Sequence, residues 1–261
     1  MRNFFVLSPF FICVLFGIFY PFISPYDIYI SDLSSIKLAP SFSHFFGTDV
    51  FGRDLFTRIA YAFRTSLFVG FFASLCILAF AIFYAFLARF FLRNFLLGIL
   101  DAFLAFPSLL FIMLFQSFFS NSVFVMIVVI ALGHFALLAK LLDTQISNIM
   151  LSDFYKNAIV LGGTKFTLFV YEILPACFSL LSVFFVLNIA HAISAEAMLS
   201  FFGLGFDLNQ SSLGILLNDA SKALFIGAWW LVIFPVLSLL CLILPLLYFA
   251  YFLQDKFGVK L

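Results

Sequence analysis

Apolar positions along this chain do not alternate with polar ones at the period of two expected of half-buried strands. They form long blocks near 4–23, 66–88, 95–119, 122–142, 173–199 and 224–252. A helix rises 1.5 Å per residue, so about 20 apolar residues cross a hydrocarbon core of roughly 30 Å, and each block is long enough. Lipid offers the backbone no hydrogen-bond partners, which leaves helices or a closed barrel as spanning structures. A barrel would show segments of about ten residues alternating in character. Ile77-Leu78-Ala79-Phe80-Ala81-Ile82-Phe83 does not alternate. The pattern predicts an all-α integral membrane protein with about six transmembrane helices.

Composition strengthens this reading: 66% of the 261 residues are hydrophobic and 10% charged, against roughly 45–50% and about 25% in soluble domains. The first block follows Arg2 but exceeds a usual signal-peptide core and ends at Ile23-Ser24-Pro25 without an Ala-x-Ala site. It is therefore predicted to stay as an anchor. Cys13, Cys76, Cys177 and Cys241 lie within apolar blocks without paired spacing, as small hydrophobes do, rather than disulfide or metal partners. The 44 phenylalanines carry no functional weight, because an AT-rich coding sequence gives the same bias. A cytoplasmic N-terminus places Arg2, Arg89, Arg93, Lys140, Lys156, Lys165, Lys256 and Lys260 inside and Lys37, Arg53, Arg58, Arg64 and Lys222 outside. That bias follows the positive-inside rule and predicts both termini in the cytoplasm.

Three connections are long: an outer one near 24–65, an inner one near 143–172 and an outer one near 200–223. No Walker motif occurs, so energised transport would need another chain as its engine. In the first connection, His44 to Asp54 leads into an amphipathic stretch ending near Leu67. Leu55, Phe56, Ile59, Phe63 and Leu67 recur at helical spacing, with Arg53, Thr57, Arg58 and Arg64 largely off the stripe and Asp54 and Arg58 spaced as an i,i+4 pair. This predicts a helix lying at the membrane surface, capped by Asp49, with Gly47 and Gly52 permitting a tight bend before it. His44 and Asp49 also have the spacing of a base and its orienting carboxylate in membrane acyltransferases, although no phosphate-binding arginines or glycine-rich substrate loop accompany them.

In the inner connection Ser152 or Asp153 can cap a short helix that Gly162 ends, before the chain re-enters the membrane at Ile173-Leu174-Pro175. Such a helix is a surface connector or a docking element for a cytoplasmic partner. Small residues from Glu196 to Gly205, then Gly214 and Asn218-Asp219-Ala220, would let backbones approach closely. Asp101 and Glu196 lie in or at the ends of spans, where a carboxylate costs roughly 2.5–3.5 kcal/mol at the bilayer centre, so each should face the bundle, water or a partner. Asp101, Ala105 and Ser108 make a small polar stripe suited to a helix interface or a pore. His134 and His191, the histidines within spans, could hydrogen-bond between helices, or hold a haem, as in a b-type cytochrome, or a passing metal.

The runs HFFGTDVFGRDLFTRIAYAFRTSL at 44–67, LDAFLAFPSLL at 100–110, EAMLSFFGLG at 196–205 and AWWLVIFPVLSLL at 228–240 together resemble the second permease of dipeptide, oligopeptide and nickel ABC importers. The resemblance implies a type I importer transmembrane domain over 64–252, preceded by an anchor and outer segment over 1–63 and followed by a short cytoplasmic tail over 253–261. Its motif residues here are Gly47, Thr48, Asp49, Gly52, Arg53, Asp54, Pro107, Gly203 and Gly205. The family's ATPase-coupling loop is Glu-Ala-Ala, three residues, Gly, nine residues, an apolar residue, any residue, then Leu-Pro. It maps onto Lys156, Asn157, Ala158, Gly162, Glu172, Leu174 and Pro175, near Asp153, with Lys156, Asn157 and Glu172 departing from the pattern.

By this resemblance the chain is half of an alternating-access pore in a bacterial inner membrane. It would pair with a second homologous permease, two ATPase subunits and an extracytoplasmic solute-binding protein, with lipid around it and no nucleic acid. The implied protein does no covalent chemistry and holds no cofactor; ATP and magnesium belong to the partner ATPase. Asp101, His134, His191 and Glu196 are pore or interface candidates, and no metal site is firmly predicted. ALGHFALLAK around His134, NIAHAISAEAMLSFFGLG around His191 and Asn218-Asp219-Ala220 look more like the nickel permeases, which tilts the expected cargo toward nickel, carried as a chelate, with short peptides as the alternative.

Overall fold

A computed structural model describes residues 2–119, 122–205, 211–223 and 227–258. Regular structure among them is helical: α1 (Arg2–Ile23), α2 (Leu55–Phe90), α3 (Arg93–Ala105), α4 (Ser108–Phe118), α5 (Val123–Leu151), α6 (Asp153–Val160), α7 (Lys165–Leu168), a π-turn (Phe169–Ile173), α8 (Leu174–Ala176), α9 (Phe178–Phe201), α10 (Leu213–Ala223) and α11 (Trp230–Phe257), with a short 3-10 turn at Leu33–Ser35. Among the described residues α2, α5, α9 and α11 are each long and apolar enough to span; α3 and α4 qualify together across a 92° bend, and α1 contributes a shorter apolar stretch, Leu7–Ile23. Lys260 and the last residues of the expected tail lie outside the described residues.

Whether the bent pair crosses the membrane or turns back follows from its neighbours. Val69 and Ala73, early in α2, pack with Met126, Ile127 and Ile130, early in α5. Arg89, at the end of α2, reaches Ser147 and Met150, near the end of α5. The two helices therefore run parallel, and the segment between them must return to the starting side. It does so along α5 in reverse order: Arg93 bonds Asp143, Asp101 bonds Lys140, and Ile112 lies over Gly133. Counting α1, whose apolar stretch is shorter, the described residues supply helices for six crossings.

Several expected elements differ from the observed ones. The stretch over 53–67 is not a separate surface helix: α2 begins at Leu55 and continues through it into the span, so the expected boundary at 63/64 falls inside one helix. Nothing after Asp54 breaks the helix, and its apolar stripe packs inward against α1, α10 and α11, where Leu55, Ile59, Ala62 and Phe63 are buried with Leu213, Leu216 and Leu231. The block 95–119 is two helices, because Phe106 is extended before Pro107. The inner connection starts at Ser152, later than 143, because α5 runs on to Leu151. Cys13 and Cys177 are buried and Cys76 half-buried, whereas Cys241 is exposed.

Close approach of small residues locks the remaining helices. A Cβ on Gly70 of α2 would sit 2.7 Å from Ile193 Cγ1 of α9, and one on Gly214 of α10 would sit 2.3 Å from the Ala197 carbonyl oxygen. The glycines thus let α9 lie against α2 and α10 against α9.

Candidate functional site

Among the described residues three polar assemblies punctuate the apolar bundle: one at the end expected to face outward, one in the middle and one at the end expected to face the cytoplasm. The outer one is built by the motif residues. Asp54 is the N-cap of α2; its Oδ2 accepts hydrogen bonds from the Thr57 amide and hydroxyl, both at 2.8 Å, and its Oδ1 pairs with His44 Nδ1 at 2.9 Å. The cap expected at Asp49 is therefore at Asp54, and His44 is oriented by Asp54 rather than Asp49. Asp54 is occupied by His44 and Thr57 while the Arg58 guanidinium goes to Asp49 and Asp219, so the expected Asp54–Arg58 pair does not form.

Arg58 turns inward instead. Only 2% exposed, it donates through Nη1 to Asp49 Oδ2 and, at 3.1 Å, to Asp219 Oδ2 of α10. Asp49 also accepts from the Phe51 and Arg53 amides and from Arg53 Nε, which closes the turn at Gly52. Gly52 has a φ of +75°, and a Cβ there would run into the Asp32 carbonyl. Thr48 extends the assembly to the loop and to α11, its hydroxyl donating to the Ser35 carbonyl and its own carbonyl accepting from Trp230 Nε1 at 3.2 Å. Gly47 lies beneath the same tryptophan, with Leu38 on its other side. Outside the spans, the Asp32 carboxyl is held below the usual carboxylate range by hydrogen bonds from Ser34 and Ser35.

Glu196, fully buried, joins helices rather than facing a pore: Ser66 of α2 donates to its Oε2 and Ser200 of α9 to its Oε1, both at 2.8 Å. Gly203 and Gly205 end α9 beside it. Gly203 and Leu204 donate to the Ser200 and Leu199 carbonyls in a Schellman arrangement, and a Cβ on Gly205 would clash with Ser200.

Mid-span, a cavity of about 530 Å³ opens between the α3–α4 bend, α5 and α9. Pro107 and Ser108 line it at the bend, with His134 from α5 and Asn188, His191 and Ser194 from α9. The two imidazole centroids are 6.0 Å apart. Ser194 Oγ donates to the Ala190 carbonyl, while His134 Nε2 and Asn188 Nδ2 are buried without a hydrogen-bond partner. Asp101 does not join this wall: it is exposed, bonded to Lys140, and the break at 106–107 separates it from Ser108. Asn188 had no signal in the sequence, since one amide in an apolar block has no spacing to betray it.

At the inner end, Asp143 ties three elements, accepting from Arg93 Nη2 at 2.6 Å and lying 4.0 Å from Arg89 Nη1. Next to it α6 projects from the bundle. Tyr155, 3% exposed, plugs α6 into the core formed by Ile149, Leu168, Phe169 and Ile173, and burial raises its phenol above the ordinary range while Arg89 opposes the shift. Ser152 occupies the N-cap position, but its hydroxyl turns back to the Ile149 carbonyl. Gly162, at φ +87°, ends the helix in a second Schellman arrangement, Gly162 and Gly163 donating to the Ile159 and Ala158 carbonyls. Asn157 points outward, and Lys156 reaches Asp153 at 3.2 Å, both side chains largely in solvent. Glu172, Leu174 and Pro175 follow in the irregular run that leads into α9.

Residues 77–259 match the family described as "Binding-protein-dependent transport system inner membrane component". Among curated relatives, the dipeptide transport system permease protein DppC of Bacillus subtilis is 29% identical over 238 residues, 90% of this chain and 73% of the relative. DppC of Alkalihalophilus pseudofirmus is 31% identical over 88% of this chain and 77% of its own length. The oligopeptide transport system permease protein OppC of Haemophilus influenzae is 29% identical over 86% and 73%.

Proposed function

The chain belongs to the binding-protein-dependent transport system inner membrane components, as a multi-pass permease of the peptide ABC importer type, and from that premise we propose that it forms half of the pore through which dipeptides or short oligopeptides enter the cell. Such permeases are not enzymes, which leaves no part for the transferase reading of His44 or the cytochrome reading of the two histidines. The observation that carries peptide as cargo is the similarity, across about nine-tenths of the chain, to permeases whose names state dipeptide or oligopeptide transport.

The proposed work divides along the three polar assemblies. The outer knot, fixed to α10 and α11, is a rigid platform suited to a solute-binding protein. The inner end is suited to an ATPase cleft: Phe154, Ile159, Val160 and Leu161 are exposed on or beside α6, while Tyr155 fastens α6 to the bundle. Movement of α6 would thereby be passed to the spans as rigid-body motion. A second permease would close the pore, and two ATPase subunits would supply ATP and magnesium.

Nickel is the second reading, favoured by the facing imidazoles of His134 and His191. Uptake of labelled alanyl-alanine and labelled nickel by proteoliposomes holding the whole importer separates the two. ATP-dependent peptide uptake that excess nickel does not inhibit is expected; nickel uptake without peptide uptake would overturn the peptide reading.

A further inference from the structure

The mid-span cavity carries polar groups where lipid would penalise them. His134 and His191 each lie roughly 15–20 Å from the nearer end of their helices at 1.5 Å per residue, which is close to the bilayer midplane. His191 is exposed there. Ionisable side chains at that depth face a bundle interior or a water-filled passage rather than lipid. The face formed by the α3–α4 bend, α5 and α9 is therefore a passage or subunit face.

The chemistry of the wall narrows what it can hold. Among the described residues no Asp, Glu, Lys or Arg lines the cavity, so they offer a ligand no formal carboxylate or ammonium partner there. They offer hydrogen-bonding atoms instead. Two of these, His134 Nε2 and Asn188 Nδ2, are buried with no partner, a condition that a passing ligand would relieve once the two side chains turn into the cavity. Around them, Phe103, Phe106, Phe184 and Met198 make an apolar surface that a range of side chains can contact, methionine being especially adaptable. A site that grips hydrogen-bonding atoms and is indifferent to side chains matches the main-chain amide, a feature common to all peptides.

We propose that His134, Asn188 and His191 form a contact station for the peptide main chain on the translocation path, hydrogen-bonding the amide groups of the passing cargo. The proposal rests on peptide being the cargo. A station of this kind lowers the barrier of a long apolar passage without selecting sequence, and so leaves selection to other parts of the assembly.

The test uses the complete importer in proteoliposomes, with labelled alanyl-alanine and its amide-N-methylated analogue, and with binding-protein-stimulated ATP hydrolysis as the control for assembly. Asn188→Leu and His134→Leu remove the free hydrogen-bonding atoms at similar volume, whereas His134→Gln keeps an amide near the Nε2 position. The two leucine variants are expected to lower maximal uptake about three- to tenfold, the worth of one hydrogen bond. They should also narrow the preference for the unmethylated peptide, while stimulated ATP hydrolysis stays intact and His134→Gln transports like the wild type. Wild-type uptake in both leucine variants would overturn the station but not the peptide reading; a wild-type importer that moves nickel and no peptide would overturn both. Equal loss in His134→Gln and His134→Leu, with ATP hydrolysis lost too, would show a packing role and overturn the station.

Discussion

Arg58 sits where a membrane protein can least tolerate a lone charge, at 2% exposure between two helices, and it is held by the carboxylates of Asp49 and Asp219. Removing one partner of a buried ion pair leaves the other charges uncompensated and typically costs about 3–5 kcal/mol. Arg58→Met is therefore expected to lower the unfolding temperature of the detergent-solubilised complex markedly, whereas Arg64→Met, at an exposed position two turns on, should leave it nearly unchanged. Equal behaviour of the two in a thermal-shift assay would show that the outer knot does not hold the fold. The arginine was visible in the sequence but its partners were not. Spacing proposed Asp54, four residues away, because local separation is all a sequence displays; the cap of α2 takes that carboxylate, and Asp219 comes from a helix far along the chain. Glu196 was more legible, since any carboxylate in an apolar block has to find donors, although which serines supply them depends on the fold.

At the scale of elements, hydropathy located the membrane-embedded parts well and their breaks poorly. The block 66–88 coincides with the uncharged stretch of α2 between Arg64 and Arg89, yet the helix runs from Leu55 to Phe90, because helical hydrogen bonding does not stop at the edge of the lipid. The bend at Phe106-Pro107 is the reverse case: proline disfavours helix in the residue before it, but an average over apolar residues does not register a local backbone constraint. That bend holds α4 against α5 at Gly133, where a Cβ would come within 2.4 Å of Ile112 Cγ1. Ile112 is fully buried and β-branched, so it has little room to yield. Overpacking of this kind costs about 1–3 kcal/mol. Gly133→Ala is expected to lower thermal stability by that order, and Gly133→Ala with Ile112→Val should recover part of it; a double variant no more stable than the single one would place the strain elsewhere.

Across the whole molecule, which loops share a side of the membrane follows from how the helices face one another; which side is the cytoplasm rests on the proposed function. The parallel course of α2 and α5 makes the bent segment cross, and six crossings would put the start of α1 and the end of α11 on one side. The outer knot of Asp49, Arg58 and Asp219 then lies opposite the inner cluster of Arg89, Arg93 and Asp143. The positive-inside rule alone gave a modest bias, because Arg53 and Arg58 counted against it; their pairing with carboxylates does not change that count, since Arg93 and Lys140 at the other end are paired as well. With the knot outside, Phe42, fully exposed, lies outside the cell and Leu161, 88% exposed beside α6, lies in the cytoplasm. In a variant whose four native cysteines are replaced, expressed without the partner ATPase, Phe42→Cys should react with a membrane-impermeant maleimide in intact cells. Leu161→Cys should react only after permeabilisation. The opposite pattern would invert the protein and turn α6 away from any cytoplasmic engine; labelling of both sites in intact cells would mean that the bent segment turns back instead of crossing.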